Sequence, residues 1–93
     1  MFNILVVEDD IDLNKLMCSV LDQNGFKAHS AHNGLAGIEK VNSTYIDLII
    51  SDIMMPGLDG YEFAKEIRKT NKSIPILFVT AKDTLNQKKK VLR

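Results

Sequence analysis

The chain has 93 residues, 45% of them apolar, with twelve Lys and Arg set against twelve Asp and Glu. That apolar share excludes a disordered chain, and the length suits one modest core rather than two domains. A single cysteine, Cys18, excludes a disulfide framework and a thiolate zinc site and points to a reducing, cytoplasmic compartment, and no apolar run approaches the ~20 residues that cross a bilayer. The stretch from Met1 to Glu8 has no basic region and meets acids after four apolar residues, so it is not expected to be a signal peptide. Zero formal net charge argues against nucleic acid as a direct partner. The charge is nevertheless uneven. Residues 82–93 hold five basic residues and one acid, a net of +4, which leaves −4 on the other 81. Lys88-Lys89-Lys90 reads as a solvated helix face, whereas the acids elsewhere cluster.

Ile4-Leu5-Val6-Val7 is a short β-branched run that stops at acids, the pattern of a strand buried on both faces. Leu13, Leu16, Met17, Val20 and Leu21 follow at spacings of three and four and predict a helix with one apolar stripe. Asp10 or Asp12 suits its cap, and Gly25 suits the left-handed turn that ends it. Phe26 to Ala31 predicts a weaker strand. Asn33-Gly34 marks a turn before a short helical stripe of Leu35, Ile38 and Val41. Residues 46–51 predict a strongly apolar strand ending at Asp52. In the loop 55–60, Pro56 presets the first central position of a turn and Gly57 supplies a positive φ at the second. Tyr61 to Lys69 predicts a helix with Phe63, Ala64 and Ile67 inward and Tyr61 partly exposed. Pro75 opens the last strong strand, Ile76 to Val79, which ends at Thr80, and Asp83 to Arg93 has helical character.

The order βαβαβαβα, with no internal repeat or linker, predicts one α/β domain over residues 1–93, a parallel sheet covered by helices on both faces. Ligands of such sheets bind beyond the carboxyl ends of the strands. There the first strand delivers Glu8, Asp9 and Asp10, the third Asp52, and the fourth the Thr80 hydroxyl. Each alone has a plain reading: helix-start acids favourable to the dipole, a loop-start residue, an uninformative threonine. Together they put several carboxylates in one crevice, where they repel and resist desolvation. A hard divalent cation relieves that repulsion. Mg²⁺ takes oxygen ligands and is held by one or two carboxylates, which fits Glu8, Asp9 and Asp52. Carboxylates also act as nucleophiles in phosphoryl transfer, with metal neutralising the transferring group.

Val6-Val7-Glu8-Asp9-Asp10, then Ser51-Asp52-Ile53-Met54-Met55-Pro56-Gly57-Leu58-Asp59-Gly60, then Val79-Thr80-Ala81 resemble the receiver domain of two-component response regulators, along the whole chain. The resemblance implies a flavodoxin-like doubly wound parallel sheet with strand order 2-1-3-4. It implies that Asp52 is the phosphoacceptor, taking a phosphoryl group from the phosphohistidine of a sensor histidine kinase. Glu8 and Asp9 then hold Mg²⁺ with Asp52, Glu8 through water, and Met54 contributes its backbone carbonyl. Thr80 is implied as the switch residue, with the small Ala81 leaving it room, and Met54 and Lys82 as positions that tune dephosphorylation. Such a domain assists its own phosphorylation and dephosphorylation but is not a turnover enzyme. The wording of the motifs looks most like transcriptional regulators with a winged-helix output domain, so DNA would be bound by the parent rather than by this chain.

The family pattern has five βα units and this sequence four; the fifth carries a Lys that contacts the phosphoryl group and an aromatic switch residue. Neither is assigned here, and the chain reads as a fragment. Its strand at 76–79 is then expected to form an open edge, with self-association or exchange of elements between copies, and with weak or absent phosphorylation in isolation. A phosphate-independent interaction module is the alternative function, separated by Mg²⁺ binding and by response to beryllofluoride. An aspartyl-phosphate hydrolase would want a second carboxylate two residues after the nucleophile, where Met54 stands, and no glycine-rich nucleotide loop occurs. Cys18, off the main stripe, is expected to be structural. His29 and His32 lack metal spacing. Asp59-Gly60 is expected to be helix-cap chemistry and Asp12 a first-turn helix acid.

Overall fold

The structure, a computed structural model, describes residues 1–55, 57–70 and 73–79. Seven elements alternate: β1 (Asn3–Val7), α1 (Ile11–Gln23), β2 (Lys27–Ala31), α2 (Gly34–Ser43), β3 (Leu48–Asp52), α3 (Gly60–Thr70) and β4 (Ile76–Val79). All three strand pairings are parallel and the order across the sheet is β2-β1-β3-β4, as expected. β1 is central, with Ile4 to Val7 all buried, which is why its sequence is a continuous apolar run rather than an alternation. Among the described strands β4 pairs with β3 alone. The expected helix from Asp83 lies outside the described residues.

The period of two along the strands sorts the side chains between two faces. Leu5 and Val7 of β1 and Ile49 of β3 join Phe63 and Ile67 of α3 in the main core, flanked by Ile38 and Val41 of α2. Phe63 is fully buried and Ile67 1% exposed, one helical turn apart, while Tyr61 is exposed, as its sequence pattern predicts. Removing the Phe63 ring from water contributes about 3 kcal/mol.

Two of the apolar stripes are not wholly buried. In α1, Leu16 and Val20 are 61% and 47% exposed, and the fully buried residue is the polar Asn14. Its amide hydrogen-bonds the ends of β1 and β2, which turns that side of the helix to the sheet, and the apolar stripe opens beside Ile50. In α2, Leu35 is 69% exposed, and the buried positions are Gly34 and Gly37. A Cβ on Gly37 would lie 2.8 Å from the Phe63 ring, and one on Gly34 would lie 2.8 Å from Leu58 Cδ2. The glycines therefore let α2 approach α3 and the loop before it, and the leucine is rotated outward.

Local chemistry sets the boundaries. Asp10 rather than Asp12 caps α1, its Oδ1 accepting the Leu13 N–H at 3.0 Å. Asn33 caps α2 in the same way through Ala36 N–H. Asp59 and Glu62 form a reciprocal capping box at α3: Asp59 Oδ1 accepts from Glu62 N–H, and Glu62 Oε1 accepts from Asp59 N–H. Gly25 and Gly57 take positive φ, +87° and +77°, as their turns require; Pro56, expected beside Gly57, lies outside the described residues. The expected strand at 46–51 runs instead from Leu48 to Asp52. Asp47 N–H donates to Asn3 O and Asp47 Oδ2 accepts from Asn3 N–H, a clasp that delays the strand by two residues and makes Asp52 its last member.

Candidate cation and phosphoacceptor site

β1 and β3 are neighbours in register, Val7 against Ser51, so the residues that follow, Glu8 and Asp52, emerge side by side at the carboxyl edge. Glu8 extends the β1–β2 ladder past the strand, its N–H donating to Ala31 O at 3.0 Å. Its side chain is 1% exposed and turns back over the loop, where Oε2 accepts the Asp10 N–H at 2.8 Å. The acidic triplet thus divides its labour. Glu8 faces inward, Asp10 caps α1, and half-buried Asp9 lies between them. Asp52 is 2% exposed, and its Oδ1 accepts the Met54 N–H at 3.2 Å. Behind it, α3 begins hard against the chain: Gly60 N–H donates to Ile53 O at 2.9 Å.

Glu8, Asp9 and Asp52 each bring a carboxylate oxygen within 4.8 Å of the other two. At that spacing two like charges repel by roughly 3 kcal/mol in a medium of effective dielectric ~20. That exceeds what an exposed ion pair returns, ~1 kcal/mol at most. Hard oxygen donors, two of them almost wholly buried, fit a hard cation such as Mg²⁺ and suit neither a soft metal nor an apolar ligand. A cleft of about 370 Å³ bounded by Asp9, His32, Asn33, Gly34, Leu35, Gly57 and Leu58 opens beside Asp9 and gives this edge a solvent entrance.

The structure therefore brings together three of the residues singled out in the sequence. Met54, also singled out, lies beside them with its N–H on Asp52, and its side chain is 45% exposed. Thr80, Ala81 and Lys82 lie outside the described residues. Asp12 is an exposed first-turn acid, and neither histidine joins the carboxylate cluster. His29 Nε2 lies 3.0 Å from Asn3 Oδ1 on the β2 edge, and burial, with Lys40 and Lys27 nearby, pushes its imidazole below the ordinary 6.5 against the pull of Asp22. The Cys18 thiol points at Asn14 Oδ1, 3.4 Å away, and burial, with Asp22 adding to it, raises its pKa. Sequence reasoning missed Asn14, and it read Gly60 as helix-cap chemistry without its close approach to the Asp52 main chain. The one signal for Asn14 was a polar residue directly beside the first leucine of the α1 stripe.

A parallel β2-β1-β3-β4 sheet with an acidic triad at its carboxyl edge is the architecture of a receiver-type domain. The chain matches the response regulator receiver domain family over residues 4–93 and belongs to that family. Among curated relatives it is 42% identical over 82 residues to a transcriptional regulatory protein CpxR homolog of Haemophilus influenzae, covering 88% of this chain and 35% of that one. Among solved structures it resembles the response regulator TrrA of Thermotoga maritima in complex with Mg²⁺-BeF, with TM-score 0.78, 30% identity and full coverage of both chains. It also resembles, with TM-score 0.81 and 33% identity, a chain of the complex between histidine kinase ThkA and TrrA, covering 99% and 98% of the two chains. The chain spans 35% to 40% of the length of the curated relatives it matches. Among the described residues no helix is long and apolar enough to cross a membrane.

Proposed function

We propose that this receiver domain is a phosphoryl-accepting switch whose acceptor is Asp52. The observation that carries the reading is the convergence of Glu8, Asp9 and Asp52 on one edge of the sheet. The donor is the phosphohistidine of a sensor histidine kinase. A carboxylate oxygen of Asp52 bonds to phosphorus, the phosphorus–nitrogen bond breaks, and the imidazole leaves with the electron pair and takes up a proton. The product is an acyl phosphate on Asp52, which water later hydrolyses to restore the carboxylate. Glu8, Asp9 and Asp52, with the Met54 carbonyl, would hold Mg²⁺, which when bound supplies positive charge against the phosphoryl oxygens. The chain's own part is to hold Asp52 at the end of β3, with the Met54 N–H bonded to one of its oxygens. The hydroxyl of Thr80 then turns to the phosphoryl group as the switch.

The domain accelerates its own modification and is consumed by it once per cycle, so it is not a turnover enzyme. Its output is transcription, exerted by a DNA-binding segment of the whole protein; the name of the Haemophilus relative supports this. A single unbridged thiol supports a cytoplasmic setting.

Incubation with acetyl phosphate and Mg²⁺, followed by intact-mass measurement, tests the acceptor. A phosphoryl adduct that needs Mg²⁺, is cleaved by hydroxylamine and vanishes in Asp52→Asn is the expected result. An adduct that survives in Asp52→Asn, or forms equally in EDTA, rejects the assignment. Beryllofluoride binding without any phosphoryl adduct would favour donor-limited labelling, and indifference to both Mg²⁺ and beryllofluoride would favour a phosphate-independent interaction module.

A further inference from the structure

Asn14 is the one fully buried residue of α1, and it is polar. Its side-chain amide is a two-pronged donor: Nδ2 reaches Glu8 O at 3.1 Å and Ala31 O at 3.0 Å. Ala31 O also accepts the Glu8 N–H at 3.0 Å. A closed circuit results, in which the Glu8 N–H and the Asn14 amide meet on one carbonyl while the same amide grips the carbonyl of Glu8 itself. One turn earlier, Asn14 N–H donates to Asp10 O at 2.9 Å, and Asp10 N–H donates to Glu8 Oε2. The main-chain nitrogen, main-chain oxygen and one carboxylate oxygen of Glu8 are thus fixed by three separate partners, and Asn14 joins two of those connections. The remaining amide atom, Oδ1, accepts from the Cys18 thiol, which settles the orientation of the amide.

We infer that Asn14 is a positioning residue for the cation site, setting the reach of the Glu8 carboxylate through the Glu8 main chain. The inference rests on the reading of Glu8, Asp9 and Asp52 as cation ligands given above and assigns that site a support from α1. A buried polar residue in a helix otherwise apolar on its sheet-facing side has no value for packing that an aliphatic side chain would not supply better. Its cost is offset only by what the amide holds, and what it holds is the backbone of a ligand. Groups behind a ligand that fix its orientation are worth about 10- to 100-fold in metal affinity in other centres.

Mn²⁺ and Mg²⁺ titrations of the chain, by electron paramagnetic resonance and calorimetry, test it alongside urea unfolding in EDTA. Asn14→Leu keeps the branched shape and the number of side-chain heavy atoms and removes both donors; Asn14→Ser, too short to span both carbonyls, serves if the leucine variant does not fold. The expected result is cation affinity reduced about tenfold in the Asn14 variant. Ile67→Val, a core change in α3, provides a control with a comparable loss of urea midpoint and is expected to bind like wild type. A second readout is the ¹³C shift of the Glu8 carboxylate without cation, expected to move in the Asn14 variants and to stay in Ile67→Val. Undiminished affinity in both Asn14 variants, or an equal loss in Ile67→Val, overturns the inference and leaves the ligand assignment standing. If wild type binds neither cation, the ligand assignment falls and this inference falls with it.

Discussion

Replacing Gly60 by Ala places a methyl group where the structure has backbone. Gly60 is the first residue of α3, and an ideal Cβ there would stand 2.6 Å from Asp52 O and 2.8 Å from Ile53 Cα. Ordinary contact begins near 3.4 Å, so the two backbone segments must part by about 0.8 Å. Neither atom belongs to a side chain that can rotate away, and the segment that must yield is the one carrying the Asp52 carboxylate. In an ordinary helical position the substitution would stabilise by up to ~1 kcal/mol, because alanine has the higher propensity. Overpacking against an unyielding neighbour costs ~1–3 kcal/mol, and a backbone contact belongs at the upper end of that range. The net expectation is a loss of about 2 kcal/mol, opposite in sign to the propensity effect. Urea unfolding measures it through the midpoint at constant m-value, and Mg²⁺ titration of the folded variant reads the displacement of Asp52 as weaker binding. A midpoint equal to or above that of wild type, with unchanged Mg²⁺ affinity, would refute the argument that close approach at Gly60 locates Asp52.

Phe63→Ala removes a fully buried ring from the centre of the main core and is expected to lower stability by about 4 kcal/mol, enough to leave much of the chain unfolded at room temperature by circular dichroism. Asp10→Ala takes away the α1 cap but keeps the main-chain N–H that holds Glu8; a loss of about 1 kcal/mol in urea unfolding is expected, with Mg²⁺ affinity little changed. The His29 imidazole binds its proton more weakly in the folded chain than in the unfolded one. The unfolded state therefore takes up more protons as pH falls through and below 6.5, and stability declines over that window. His29→Gln should flatten that decline, and a ¹H–¹³C titration of the His29 ring should show a midpoint below 6.5; a midpoint at or above it rejects the account.

The frame was legible because parallel strands buried on both faces must be written as apolar runs. Ile4 to Val7 announces itself in this way, Ile76 to Val79 carries the same apolar run although Leu77 is exposed, and the acids that interrupt the first run mark the carboxyl edge of the sheet. The site was legible for the same reason: once Glu8 and Asp52 each close a strand, and the two strands are adjacent, their proximity follows. Helix faces were harder. A stripe such as Leu13, Leu16, Met17, Val20 and Leu21 tells which side of a helix is apolar, but not how far the helix is rolled about its axis. Two hydrogen bonds from Asn14 and the absence of side chains at Gly34 and Gly37 decide the roll of α1 and α2, and neither registers in a hydrophobic period. The shift of β3 to end on Asp52 depends on the Asn3–Asp47 clasp, a contact between residues 44 apart in the chain that no local pattern contains.

Asp10 occupies a junction. Its N–H is held by the carboxylate of Glu8, while its own carboxylate secures the first turn of α1 at Leu13. Any change in the electron density on Glu8, whether from a bound ion or from a proton, alters the hold on Asp10 and so the fraying of the helix that follows. Amide exchange at Leu13 and Asn14 is accordingly a gauge of the occupancy of the acidic pocket, readable on the flank of the domain without any probe in the pocket itself.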